Sequence, residues 1–144
     1  MRFRKSTHCV YKTEYHIVLT PRYRRRIFVS GVKQYLDKVL MHLDGLDDDI
    51  EVIRANVQLD HVHMVVMIPP RVSVASVVQY IKSQTGKLLP ERFPSIRKAI
   101  RSGGIWSRGY CVSTIGLDEK TIINYVEHQG REDCGAIQLD FGLD

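Results

Sequence analysis

Two histidines separated by one valine are the residues of this sequence best placed to hold a metal ion. His61-Val62-His63 follows Asp60 and begins a run, 61–68, that is typical of a β-strand. Because side chains alternate between the two faces of a strand, His61 and His63 point the same way, about 7 Å apart. Two imidazoles at that spacing can bind one divalent ion. Two surface histidines on a half-exposed strand would give the same pattern.

A tyrosine near the C-terminus could act as a nucleophile. Tyr125 and Gln129 are four residues apart in a helix predicted over 118–129, so they share one helix face. The ordinary pKa of a tyrosine is about 10, so a nearby cation is needed to activate the hydroxyl at neutral pH. The alternative is that Tyr125 is a half-buried packing residue, as tyrosines on amphipathic helices usually are. Glu127 and His128 point away from Tyr125 and are expected on the surface.

The charge of the chain suits a polyanionic partner. The net charge is +5, and neutralising phosphates with basic side chains releases condensed counterions. Basic residues crowd 22–26 and 82–101, although a solvated face would look the same. The candidate DNA contacts are Arg22, Arg24, Arg25, Lys82 and Arg108. Trp106, Tyr23 and Phe93 could stack on unpaired bases, and Trp106 could equally be a packing anchor.

The elements that must position these residues follow from periodicity and from chain breakers. Strands are predicted over 8–19, 50–58, 61–68 and 110–115, helices over 31–43, 73–89 and 118–129, and a loop over 103–109. Pro90 and Pro94 should end the second helix. The short junction at Leu59-Asp60 predicts an antiparallel hairpin. The order predicts an α+β, ferredoxin-like β-α-β-β-α-β fold with a central antiparallel sheet and a C-terminal catalytic helix.

Size and composition indicate one domain, residues 1–144, in a reducing compartment. No apolar run approaches the roughly 20 residues that span a bilayer, and no secretory signal is evident. The three cysteines Cys9, Cys111 and Cys134 are dispersed and odd in number, so neither a disulfide framework nor a cysteine metal clip is expected. We therefore expect a cytoplasmic protein.

Four segments, in order, resemble the small single-tyrosine HUH transposases of bacterial and archaeal insertion sequences. Residues 15–26 are similar to the opening strand and basic turn of that family, and residues 60–63 match its histidine–hydrophobic–histidine motif. Residues 105–117 resemble the segment before its catalytic helix, and Tyr125-x-x-x-Gln129 matches its nucleophile helix. One such motif could arise by chance, but four in the right order make chance improbable.

The resemblance implies a role for each matching residue. His61 and His63 would be metal ligands with Gln129 as the third, the ion would be Mg²⁺ or Mn²⁺, and Tyr125 would be the nucleophile. The family cuts and rejoins single-stranded DNA at hairpin-marked element ends through a covalent 5′-phosphotyrosine. It is also a homodimer, in which the tyrosine helix of one subunit completes the site of the other. The resemblance places the protein in a prokaryotic cytoplasm.

Three other functions fit parts of the same pattern. A noncatalytic ferredoxin-like nucleic-acid-binding module would explain the charge and the aromatic residues, but neither motif. A metal hydrolase using water would need the histidines without Tyr125, and the common barrel hydrolases need about 250 residues. An HUH endonuclease that acts in replication or in repeat processing would share the whole site, although such proteins usually carry additional domains.

Overall fold

A computed structural model of the chain describes residues 3–43, 45–100 and 104–135. Its elements are β1 (Arg4–Ser6), β2 (Cys9–Tyr11), β3 (Glu14–Leu19), a 3₁₀ turn (Arg22–Arg24), α1 (Ser30–Met41), β4 (Glu51–Gln58), β5 (His61–Met67), α2 (Val74–Arg92), α3 (Pro94–Ala99), β6 (Cys111–Ser113) and α4 (Glu119–Asp133). Among these helices, none is long and apolar enough to cross a bilayer.

The main sheet of the described residues has the strand order β4-β5-β3-β6, with each neighbouring pair antiparallel. Strand β5 lies between β3 and β4, and β3 lies between β5 and β6, so each of the two helical crossovers skips one strand. This is the split βαβ arrangement of the ferredoxin-like plan, and the predicted α+β fold class is confirmed. A separate two-stranded sheet, β1 with β2, precedes it.

The two faces of this sheet carry different residues. Ile17 and Leu19 of β3 share one face with Val62 and Met64 of β5, and all four are buried against helices α1 and α2. The alternate positions of both strands, including Val18, face the opposite way. Helix α4 covers that second face, where Val18 packs with buried side chains of the helix. The histidines of β5 therefore lie on the face that α4 covers.

Some predicted boundaries are wrong, and local contacts explain why. The strand predicted over 8–19 is divided at Thr13, because the backbone there leaves the small sheet and Thr13 exchanges hydrogen bonds with Ile68 of the main sheet. The strand predicted over 110–115 is shorter, because the Ser113 hydroxyl accepts the backbone N–H of Ile115 and turns the chain.

Both later helices run further than periodicity predicted. Pro90 does not end α2, because Leu89 is fully buried and its carbonyl accepts the N–H of Phe93 at 2.9 Å, which closes another turn. Helix α4 begins after Asp118, whose side chain accepts the N–H of Thr121 at 2.7 Å as an N-cap. Its C-terminal extension adds one more turn beyond Gln129.

Candidate active site

The first histidine of the pair is held by the carboxylate beside it. His61 Nδ1 lies 3.0 Å from Asp60 Oδ1, and Arg24 Nε donates to Asp60 Oδ2 at 3.0 Å. A carboxylate can only accept hydrogen bonds, so His61 carries its proton on Nδ1 and leaves Nε2 free to bind a metal. Burial disfavours the charged form of Asp60, but the hydrogen bonds from His61 and Arg24 outweigh it and lower the pKa of this carboxyl. Asp60 is therefore ionised at neutral pH.

The second histidine contacts a third one that sequence reasoning missed. His63 Nε2 lies 3.2 Å from His16 Nδ1, and the two rings are tilted against each other. His16 belongs to β3, so no local spacing in the sequence links it to His63; only the register of β3 with β5 brings the two rings together. Burial lowers the pKa of His63, and interactions with His16, His61 and Arg54 lower it further. His63 is therefore neutral at pH 7, which is the form that binds metals.

Both histidines line an open cavity of about 600 Å³ between the β4–β5 hairpin and the N-terminal half of α4. Its other lining residues are Arg24, Arg26, Asn56, Gln58, Leu59, Asp60, Leu117, Glu119, Ile122, Ile123 and Val126. Two guanidinium groups, of Arg24 and Arg26, and two carboxylates, of Asp60 and Glu119, lie at its wall. Arg26 was not among the candidate DNA contacts.

Tyr125 lies on the buried side of α4, against the sheet face that carries Val18. Its ring packs with Val18, Ile122 and Val126, and only 6% of the residue is exposed. Burial raises the pKa of its hydroxyl, and the neighbouring Cys111 raises it further, as do Asp133 and Glu132 of the same helix. Tyr125 is therefore a packing anchor and, in this arrangement, a protonated phenol. It does not line the cavity of the two histidines.

Gln129 meets Tyr125 at a glycine. A Cβ atom added to Gly109 would lie 3.7 Å from Gln129 Oε1 and 4.0 Å from the Tyr125 hydroxyl oxygen. Gly109 has a φ of +84°, a left-handed conformation that side chains disfavour. Tyr125 and Gln129, predicted to share one helix face, therefore both face Gly109. Neither Tyr125 nor Gln129 lines the cavity that His61 and His63 share.

Lys82 supports the loop before β6. Its ammonium donates to the backbone carbonyls of Ser107 at 2.9 Å and of Gly109 at 2.7 Å. Burial lowers the pKa of Lys82, and Asp133 opposes that change. Lys82 was predicted to contact DNA. Its hydrogen bonds to these two carbonyls instead hold the loop that contains Gly109, which Tyr125 and Gln129 face.

The predicted arginine contacts differ in exposure. The backbone of Tyr23 and Arg24 is left-handed, with φ of 62° and 54°, in the tight turn after Pro21. The guanidinium groups of Arg22 and Arg25 lie over the Tyr23 ring, 5.4 and 5.1 Å from its centre, and Tyr23 is 43% exposed. Arg108 is also exposed. This turn therefore presents an aromatic face and several positive charges to solvent.

Two of the aromatic residues proposed for base stacking have packing contacts instead. Trp106 is 8% exposed, and its Nε1 donates to the Thr85 hydroxyl at 2.8 Å, so the packing alternative describes it. Phe93 lies edge-on against Tyr35. The prediction that His128 lies on the surface is wrong, since it is 3% exposed.

The donor atoms fit a divalent ion with nitrogen and oxygen ligands. The described residues contain no set of three histidine, cysteine or acidic side chains placed to hold a metal, so a metal site here would need a ligand of another type. Thr20 directly follows β3, whose last residue Leu19 pairs with Val62 of β5. Its hydroxyl is buried and makes no hydrogen bond within the described ranges. Such orphaned groups cluster where a water, ion or ligand completes a site.

Comparison with known proteins gives one family. The model of the family described as "Transposase IS200 like" matches residues 9–129. The transposase of insertion sequence IS200 from Salmonella typhimurium is 33% identical over 132 residues, which cover 92% of this chain and 86% of that protein. The ISDra2 transposase TnpA from Deinococcus radiodurans is 25% identical over 130 residues, 90% of this chain and 92% of that protein.

Solved structures give the same result. The crystal structure of a candidate transposase from Deinococcus radiodurans superimposes with a TM-score of 0.75 at 26% identity, covering 88% of this chain and 97% of that one. A REP-associated tyrosine transposase bound to a REP hairpin matches with a TM-score of 0.50 at 16% identity, covering 93% and 76%. At that identity the second likeness shows the fold alone.

Proposed function

We propose, on the premise that this chain belongs to the family of IS200-like transposases, that it cuts and rejoins single-stranded DNA at hairpin-marked element ends through Tyr125. One observation supports this most directly. The Tyr125 hydroxyl and the Gln129 amide oxygen both face Gly109, and the helix that carries them covers the sheet face of His61 and His63.

The proposed reaction is a transesterification. The Tyr125 oxygen gives up its proton and attacks the phosphorus of the scissile phosphodiester. The bond from phosphorus to the 3′ oxygen breaks, and that oxygen leaves as a 3′ hydroxyl after taking a proton. The 5′ phosphate stays on Tyr125. Attack by another 3′ hydroxyl reverses the step on a different strand, so no nucleoside triphosphate is consumed.

His61, His63 and the Gln129 amide oxygen are the residues that we propose to hold Mg²⁺ or Mn²⁺. When bound, such an ion neutralises the phosphate and lowers the pKa of a nearby phenol. Three neutral ligands leave its full charge for the substrate. Histidine nitrogen favours Mn²⁺, because Mg²⁺ prefers oxygen. Asp60 keeps His61 in the metal-binding tautomer.

The single-stranded DNA would approach over the basic turn. Arg22, Arg25 and Arg108 are proposed to bind phosphates, and the exposed Tyr23 ring is a platform for an unpaired base. Arg24 already bonds Asp60 at the cavity wall, so it would act close to the scissile phosphate. Lys82 would contribute chiefly through the loop that it fixes.

We propose that two copies of the chain share their active sites in a homodimer. Within one described chain, Tyr125 does not line the cavity of His61 and His63, and a tyrosine helix supplied by the partner subunit would bring the two pairs together. A site shared in this way needs only one intact tyrosine and one intact histidine pair, on different chains.

Mixing two inactive variants tests the shared site. Tyr125→Phe chains mixed with His63→Ala chains should regain up to about a quarter to a half of the wild-type adduct, because half of the composite sites in a heterodimer are intact. Adduct formation on labelled single-stranded DNA measures this, with each variant alone as the control. If heterodimers isolated by two affinity tags stay inactive, the sites are built within one chain.

The function itself is tested by a covalent product. The protein, Mn²⁺ and labelled single-stranded hairpin oligonucleotides from its flanking DNA should give an adduct that survives denaturing electrophoresis. The same sequence as a full duplex is the control and should give much less. Salt-sensitive binding without an adduct would instead identify a noncatalytic module, and cleavage without an adduct a hydrolase.

A further inference from the structure

The carboxylate of Asp133, at the last residue of α4, joins three segments of the chain. Asp133 Oδ1 accepts from the Ser107 hydroxyl at 2.7 Å and from Gln129 Nε2 at 3.4 Å. Asp133 Oδ2 accepts from the backbone N–H of Tyr23 at 2.9 Å. The side chain is partly buried. Neither the sequence motifs nor the reaction proposed above gives this residue a role.

The contact with Gln129 decides which end of its amide faces the site. A carboxylate has no proton to donate at neutral pH, so only the NH₂ group of Gln129 can face Asp133. The amide oxygen must then point the other way, and Oε1 does lie on the Gly109 side. Only the oxygen of an amide binds a divalent metal.

We infer that Asp133 is a positioning residue, which holds the NH₂ end of the Gln129 amide and so keeps its oxygen on the Gly109 side, the orientation in which that oxygen is available to bind a metal ion. The inference depends on the proposed function, in which Gln129 is a metal ligand. Asp133 touches neither the phosphate nor the ion in this account, and it acts only through Gln129. It is an outer partner of a ligand, the kind of residue whose loss usually weakens metal binding about 10- to 100-fold.

Two further hydrogen bonds, from the Tyr23 backbone and the Ser107 hydroxyl, hold the Asp133 carboxylate in place. Tyr23 donates from a turn in the left-handed conformation, which persists only where its surroundings hold it. Ser107 is held from both sides, because its N–H donates to the Thr20 carbonyl at 2.9 Å and its own carbonyl accepts from Lys82. Asp133 is therefore anchored to the sheet edge and to the loop, and cannot rotate with the amide.

Mn²⁺ binding to the full chain without DNA tests this inference, measured by titration calorimetry or by the loss of the free Mn²⁺ electron paramagnetic resonance signal. Asp133→Asn keeps the shape of the side chain but can donate as well as accept, so either amide orientation becomes possible. We expect about a tenfold lower Mn²⁺ affinity. Asp48→Asn, the same change at an exposed carboxylate outside the cavity of His61 and His63, should keep an affinity near that of the unchanged chain.

Repeating the Asp133→Asn change in a Gln129→Glu chain distinguishes positioning of the amide from a general effect of Asp133 on the stability of α4. In Gln129→Glu, the two terminal oxygens are equivalent, so no orientation has to be selected. Adding Asp133→Asn there should lower Mn²⁺ affinity clearly less than in the chain with Gln129, because the only loss left is the attraction of one carboxylate charge for the ion. A structural role would lower affinity by the same factor in both backgrounds. The comparison holds even if Asp133→Asn lowers the melting temperature, since both backgrounds carry the same loss.

Two results would overturn the inference: equal losses of affinity in both backgrounds, or no loss for Asp133→Asn in the chain with Gln129. Failure of the proposed function would look different. The covalent adduct would then be missing from the wild-type chain, or would persist without Tyr125, whatever Asp133 does to Mn²⁺ binding. If Gln129→Ala itself leaves Mn²⁺ affinity unchanged, both the ligand role of Gln129 and the positioning role of Asp133 are excluded.

Discussion

Tyr125→Phe should abolish the covalent DNA adduct, with a loss of roughly a thousandfold or more in cleavage rate, as for other removed nucleophiles. The change removes one oxygen and keeps the ring that packs with Val18, Ile122 and Val126. Fold and DNA affinity should therefore change little. Denaturing electrophoresis of labelled single-stranded DNA measures the adduct, and filter binding under the same salt measures the affinity.

Tyr110→Phe is the matched control for this prediction. Tyr110 is partly buried, immediately after Gly109, and packs at the border of the main core. It is close to the site in sequence and loses the same atom, but it is not the proposed nucleophile. Its variant should keep the adduct. An adduct that persists in Tyr125→Phe and disappears in Tyr110→Phe would show that the wrong hydroxyl was chosen.

The second large effect is expected from the histidine pair. His61→Ala or His63→Ala should lower cleavage by about 100-fold or more, because the phosphate loses the charge neutralisation that a bound ion provides. A chelator should have the same effect on the unchanged chain, and added Mn²⁺ should restore activity there but not in the variants. Binding of single-stranded DNA should persist, since the basic turn is untouched.

His42→Ala provides the control for losing a histidine. His42 is exposed at the end of α1, outside the described cavity, so cleavage and its metal dependence should be unchanged. Cleavage that resists both the chelator and the histidine substitutions would contradict the metal site. It would leave Tyr125 activated by the protein's own basic groups, among which Arg24 and Arg26 line the cavity.

Features set by short-range geometry could be predicted from the sequence by itself. The alternation of side chains along a strand places His61 and His63 on one face of β5. Helical spacing places Tyr125 and Gln129 on one face of α4. The hairpin at Leu59-Asp60 and the order of strands and helices follow from the same periodicities. These depend on neighbours in the chain, so local pattern is sufficient.

Contacts between distant segments were decided only by the tertiary structure. His16 reaches His63 through the register of two strands, and Asp133 reaches Tyr23 across most of the chain. The sequence predicts that Lys82 contacts DNA and that Trp106 could stack on a base. In the structure, Lys82 donates to the Ser107 carbonyl and Trp106 donates to the Thr85 hydroxyl. Nothing in their local sequence encodes these partners. They arise because burial and antiparallel pairing fix which side chains meet, and that choice is made by the whole sheet and the helix that covers it.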